Sequence, residues 1–144
     1  MQVSLSFGRK CFDWIMLQTY IDIDGYWGVV VVTNFDVDRD YVELKAQLRS
    51  FGLSPKNADR ALNILSNYNT GMAVSLPDLK MSAIYISKST SPSEFYSTAI
   101  HECIHVADSI LDWYDESWQG EPSAYLVGFM TKEIVERLGE PCIG

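Results

Sequence analysis

The chain has 144 residues, 47% of them hydrophobic and 21% charged, which excludes disordered, collagenous and low-complexity classes and sets a single compact domain over 1–144. Its formal charge is −8, and the whole imbalance lies in residues 94–144, where ten acidic residues stand against only Lys132 and Arg137. That distribution leaves no basic field for a nucleic-acid backbone or an anionic membrane, whereas carboxylates in such a region can hold a cation.

No stretch approaches the ~18 apolar residues of a membrane span. Arg9 and Lys10 precede an apolar patch, but Asp13, Asp22 and Asp24 interrupt it, unlike a secretory leader. Cys11, Cys103 and Cys142 are odd in number and widely spaced, which fits a reducing compartment. The expectation is a cytoplasmic protein with no membrane and no nucleic-acid partner.

Residues 1–7 alternate weakly, as a strand would. Residues 12–21 are ambiguous between helix and strand. The Asp24-Gly25 pair marks a turn, and the β-branched run within 26–33 reads as a buried strand. Tyr41, Leu44, Leu48 and Phe51 recur at helical spacing, giving a helix over 39–51 that Gly52 ends. Ser54 followed by Pro55 opens a second helix, so 40–69 forms a helical hairpin stopped by Asn69-Thr70-Gly71. Short strands are expected at 72–76 and 81–87. Asp36, Asp38 and Asp40 lack the glycine and terminal glutamate of a calcium loop and read as a helix start.

Ser91-Pro92-Ser93-Glu94 has the form of a capping box with proline in the first turn, predicting a helix over 92–113. Its apolar face is read as Ile100, Cys103, Ile104, Ala107 and Leu111, with His101, His105, Asp108 and Asp112 on another stripe. A polar turn over 114–119 and a last helix from 120 to 138 follow, ended by Gly139 and Pro141. The fold class is therefore α+β, a small twisted sheet of three to four strands packed against helices.

Residues 101–105 read His-Glu-Cys-Ile-His, and these are the chain's two histidines. Imidazoles four apart on a helix stand one above the other and can reach a single zinc ion, with Glu102 flanking them to act on the metal's water. A catalytic zinc takes three protein ligands and keeps one open position. Asp112, two turns beyond His105 and roughly 10 Å along the axis, is too distant. Glu121 is the leading third ligand, because a helix folding back antiparallel brings it toward the histidines. Asp108, one turn from His105, is the alternative, or a partner that orients a ligating histidine from behind, and a site with no third protein ligand is the remaining choice.

The strand before the motif, the His101-Glu102-Cys103-Ile104-His105 helix and the Glu121-Pro122-Ser123-Ala124-Tyr125 helix resemble a compact gluzincin-type zinc metallopeptidase. The region from Ser82 to Phe129 also resembles small metallopeptidase-like proteins of phages and mobile elements, and is similar in outline to the zinc peptidases that cleave phage repressors and stress regulators. The resemblance implies a zincin-like active-site helix followed by a ligand-bearing helix. It assigns His101, His105 and Glu121 as zinc ligands and Glu102 as general base. Asp108 and Leu111 occupy positions where metzincins carry glycine and a third ligand, so that family is excluded.

The function expected is zinc-dependent hydrolysis of peptide bonds in a protein or peptide substrate, by a metal-activated water with Glu102 as base. Tyr125, one turn past Glu121, is the candidate oxyanion donor, with Tyr114 as the other choice. Strand 82–86 is expected to offer an exposed edge to an extended peptide. The competing class is a non-catalytic regulatory or phage protein-binding module, in which zinc holds the last two helices together.

Overall fold

A computed structural model describes residues 15–114 and 121–139. The strand expected over 1–7 and the turn after Tyr114 lie outside the described residues, as does the side chain of Glu121. The described elements run β1 (Leu17–Ile23), β2 (Trp27–Thr33), α1 (Tyr41–Ser50), α2 (Pro55–Leu65), β3 (Gly71–Leu76), a short 3-10 turn (Pro77–Leu79), β4 (Met81–Ile86), α3 (Pro92–Trp113) and α4 (Glu121–Leu138).

Of the ambiguous segment 12–21, residues 12–14 lie outside the described residues and the part from Leu17 onward is a strand. Asp24 and Gly25 take φ values of 50° and 76°, the pair of positive values that a tight hairpin turn requires, so β1 folds back antiparallel onto β2. β2 then pairs in parallel with β4, and β3 pairs antiparallel with β4, giving a mixed sheet in the order β1-β2-β4-β3. The two parallel strands sit in the middle. Their buried, β-branched runs fit that place, since parallel strands are covered on both faces.

β4 is therefore not the exposed edge that the alternation over 82–86 suggested. Ser82 and Ser87 are both buried and hydrogen-bonded, Ser82 to Trp27 and Ser75, and Ser87 to Thr70 and Asn67. The sheet edges are β1 and β3.

The sheet divides two hydrophobic cores. Val29, Val31, Ile84 and Ile86 face α3 and α4, packing on Ala99, Cys103, Val106, Met130 and Ile134. Val32, Ala83 and Tyr85 face the other way, onto Leu44, Leu48, Ala58, Leu62 and Leu65 of the α1–α2 hairpin. Ser54 caps α2 by accepting the Asn57 N–H at 3.1 Å, and Ser91 caps α3 by accepting the Glu94 N–H at 3.2 Å. Among the described residues no helix is long and apolar enough to cross a membrane.

Of the expected apolar face of α3, Cys103, Ala107 and Leu111 are buried and the two isoleucines are not. The centre of the buried side is Ala99, Cys103, Val106 and Ile110, with Glu102 drawn in beside it, while Ile100 and Ile104 are exposed. The helix is rotated so that the histidine stripe points directly away from the core.

Candidate metal centre and cleft

His101 and His105 stand on consecutive turns of α3 with ring centroids 4.8 Å apart and ring planes at 80°. Their Nε2 atoms face one another at 3.1 Å. Two nitrogens bound tetrahedrally to one zinc at 2.0–2.1 Å would be about 3.4 Å apart, so the pair fits the ion with a movement of a few tenths of an ångström. Both side chains are exposed, leaving that position open to solvent.

Glu102 has the opposite environment. Only 5% of the residue is exposed, yet its carboxyl makes no hydrogen bond to any described residue. Burial pushes the carboxyl above the usual carboxylate range, and the imidazoles of His101 and His105 act in the other direction. A near-buried carboxyl without a hydrogen-bond partner among the described residues, beside two imidazoles, is the arrangement expected of a proton acceptor rather than a stabilising ion pair.

Glu102 and His101 line a cleft of about 390 Å³ between α3 and the start of β3. Gly71 forms the facing wall. A Cβ placed there would stand 2.7 Å from Thr98 Cγ2, 2.9 Å from Glu102 Cγ and 3.0 Å from Glu102 Oε2, so the strand can approach the carboxyl this closely only with glycine at that position. The neighbouring residues hold the wall in place. Thr70 N–H donates to Ser87 Oγ at 2.9 Å, and Thr70 Oγ1 donates to the Asn67 carbonyl at 2.9 Å. Asn69, at φ 61°, receives the Thr90 N–H on its side-chain oxygen at 3.0 Å. These bonds tie the end of α2 to the loop that enters α3. Sequence reasoning treated Asn69-Thr70-Gly71 only as a helix stop; the small residue opening a strand is the signal that a close approach was present.

The remaining expected site residues lie elsewhere. Asp108 is exposed and hydrogen-bonds neither histidine. Tyr125 stacks on Phe129 with centroids 6.0 Å apart, and its hydroxyl faces Asp24 at 3.5 Å in the β1–β2 turn. Tyr114 donates to the Tyr26 carbonyl at 3.3 Å and packs edge-on against Trp27. Both tyrosines thus gather around the β1–β2 turn at the C-terminal end of α3. This corrects the expectation that Tyr125 faces the imidazoles: the hairpin turn and Phe129 claim its ring and hydroxyl. Cys103 is fully buried as expected, its thiol pushed up to about 11 by burial, with the nearby Thr131 acting in the other direction.

Glu121 opens α4. Ten residues separate it from Thr131, which meets Cys103 between the two histidines, and ten residues of helix rise about 15 Å. A Glu121 carboxylate that joins the imidazoles therefore needs the first turns of α4 to lean across α3. Among the described residues no group of three or more His, Cys, Asp or Glu side chains is placed to hold a metal. Comparison of the chain with protein-family models, with curated proteins and with solved structures finds no match.

Proposed function

We propose that this protein is a zinc-dependent hydrolase of peptide bonds. The observation that carries the reading is the pair of facing imidazole nitrogens of His101 and His105 next to the near-buried Glu102, unpaired among the described residues, which shares one open cleft with His101. His101 and His105 would hold the metal; Glu121 is the proposed third ligand, and it reaches them only if the start of α4 crosses from the core side of α3 to the histidine side. Zinc, when bound, supplies Lewis acidity toward a carbonyl and toward water.

The chain's own residues do the rest. Glu102, kept basic by desolvation, takes a proton at its carboxylate and returns it to the departing amine. Gly71 and Thr98 hold the back of that carboxyl so that it presents toward the cleft. β3 is the terminal strand of the sheet, so its outer N–H and C=O groups are open to pairing among the described residues, and an extended peptide can lie along it. A peptide is favoured as substrate over a nucleic acid because the cleft contributes carboxylates and hydroxyls and no basic side chain other than the imidazoles.

The test combines zinc titration with turnover on a denatured-protein digest read by mass spectrometry. The parent chain binds about one zinc and produces new cleavage products. Glu102→Gln retains zinc and yields none, and His101→Ala loses both. A Glu102→Gln chain that cuts as well as the parent overturns the assignment of the base. Zinc binding with no cleavage in the parent, and unfolding on chelation, would establish the metal-stabilised binding module in its place.

A further inference from the structure

We propose that the groove between α2 and β3 receives alternate apolar side chains of the peptide substrate, so that the enzyme selects extended segments carrying apolar residues two positions apart. The inference rests on the peptide-hydrolase reading and names the substrate class for that site.

A second cavity of about 440 Å³ adjoins the histidine cleft on the opposite side of β3. Leu53, Ala61, Met72 and Val74 line it, and Asn57 and Arg60 stand among the lining residues as its polar members. It shares Ile64 and Gly71 with the histidine cleft, so the two spaces are continuous around the strand edge. Ile64 is a large apolar side chain left more than half exposed at this junction.

β3 supplies the rule for filling both spaces. Gly71 and Ala73 face α3, Gly71 against Glu102 and Ala73 against the core beneath α3. Met72 and Val74 face the α1–α2 hairpin. A peptide added to the open edge continues the same pleat, and its side chains alternate between the same two faces. Residues of one parity then enter the histidine cleft, near Glu94, Thr98 and His101. Residues of the other parity enter the apolar groove between Ile64, Met72 and Val74. The occupant is therefore a strand, since a helix laid on this edge would satisfy neither the backbone groups nor the two-residue alternation. A second copy of the chain is disfavoured by its net charge of −8.

The experiment uses the full chain carrying Glu102→Gln, with and without zinc, and three fluorescent nonapeptides in a serine-threonine background. One has leucines two apart, one has adjacent leucines, and one has none. Fluorescence anisotropy is expected to show the first binding at least about tenfold tighter than the second, because only that spacing places both leucines in the groove. Met72→Gln and Val74→Thr, close in size to the residues they replace, should remove that preference while zinc affinity stays at the parent value. Equal affinity for the three peptides, or a preference that survives both variants, overturns the proposal. So does sedimentation showing that the groove variants dissociate a dimer, which would make a second copy the occupant. A preference that persists in a chain that neither binds zinc nor cleaves would retire the hydrolase reading and leave the groove assignment standing. Cleavage by the parent with no dependence on leucine spacing would retire the groove assignment alone.

Discussion

Replacing Gly71 with alanine probes the link between the sheet edge and Glu102, the proposed base. The added methyl would sit 2.7 Å from Thr98 Cγ2 and 2.9 Å from Glu102 Cγ, roughly 0.8 Å inside a normal carbon contact at the first of these. Thr98 cannot yield easily, because it is β-branched, helical and only 8% exposed. Glu102 can yield, but only by swinging its carboxyl away from β3 and out of its place beside the imidazoles. Overpacking of this kind costs about 1–3 kcal/mol, which for a chain of this length lowers the thermal midpoint by roughly 3–10 °C. A carboxyl displaced by about 1 Å costs on the order of 100-fold in turnover, with zinc affinity little changed. The assay is a thermal melt beside peptide cleavage and zinc titration, repeated in Thr98→Ser, which deletes the offending methyl and keeps the hydroxyl. The double variant should recover about 1 kcal/mol relative to the sum of the single changes. A Gly71→Ala chain as stable and as active as its parent would refute the packing argument.

Other consequences are equally direct. Burial raises the folded-state pKa of Glu102, so the native chain holds that proton more tightly than the unfolded one, and the metal-free protein loses stability as pH rises from the ordinary carboxyl range through the raised value. Metal-free Glu102→Gln should therefore be more stable than the parent at neutral pH and indistinguishable from it near pH 3; denaturant midpoints that differ equally at both pH values contradict this. Glu121→Gln should weaken zinc binding, measured against a competing chelator, more than Asp108→Asn does, and the reverse order would transfer the third-ligand role to Asp108. Ser91→Ala removes the hydroxyl that accepts the Glu94 N–H and should cost about 1 kcal/mol in urea unfolding, whereas Ser93→Ala, which leaves that bond in place, should cost less.

Local chemistry carried much of this fold in the sequence. The Ser-Pro starts at 54 and 91, the Asp24-Gly25 turn and the valine run of β2 each act through their own neighbours, and each element stands where those residues put it. The strand order β1-β2-β4-β3 was not readable, because pairing β2 with β4 depends on contacts across more than fifty residues. β4 was expected to be an exposed edge, but it lies between β2 and β3, and Ser82 within it and Ser87 just after it are buried and paired inside the protein. The face of α3 was misjudged by two isoleucines. Ile100 and Ile104 look like core, but Ala99, Val106 and Ile110 complete a better stripe with Cys103, and packing followed that stripe. The histidine pair was legible from spacing alone, since i and i+4 on a helix must meet. The Gly71 wall was not, because nothing near it in sequence announces Glu102.

The partition of the interior by the sheet has a consequence for how such a protein changes over time. Leu44, Leu48, Leu62 and Leu65 never touch the layer that carries the imidazoles, and a substitution among them reaches the chemistry only through β3 and β4. Drift beneath the α1–α2 hairpin can thus reshape what lies along the strand edge while Glu102 and the two imidazoles stay where they are. A lineage, or a directed-evolution campaign, gains one layer to vary for selectivity and another to leave alone.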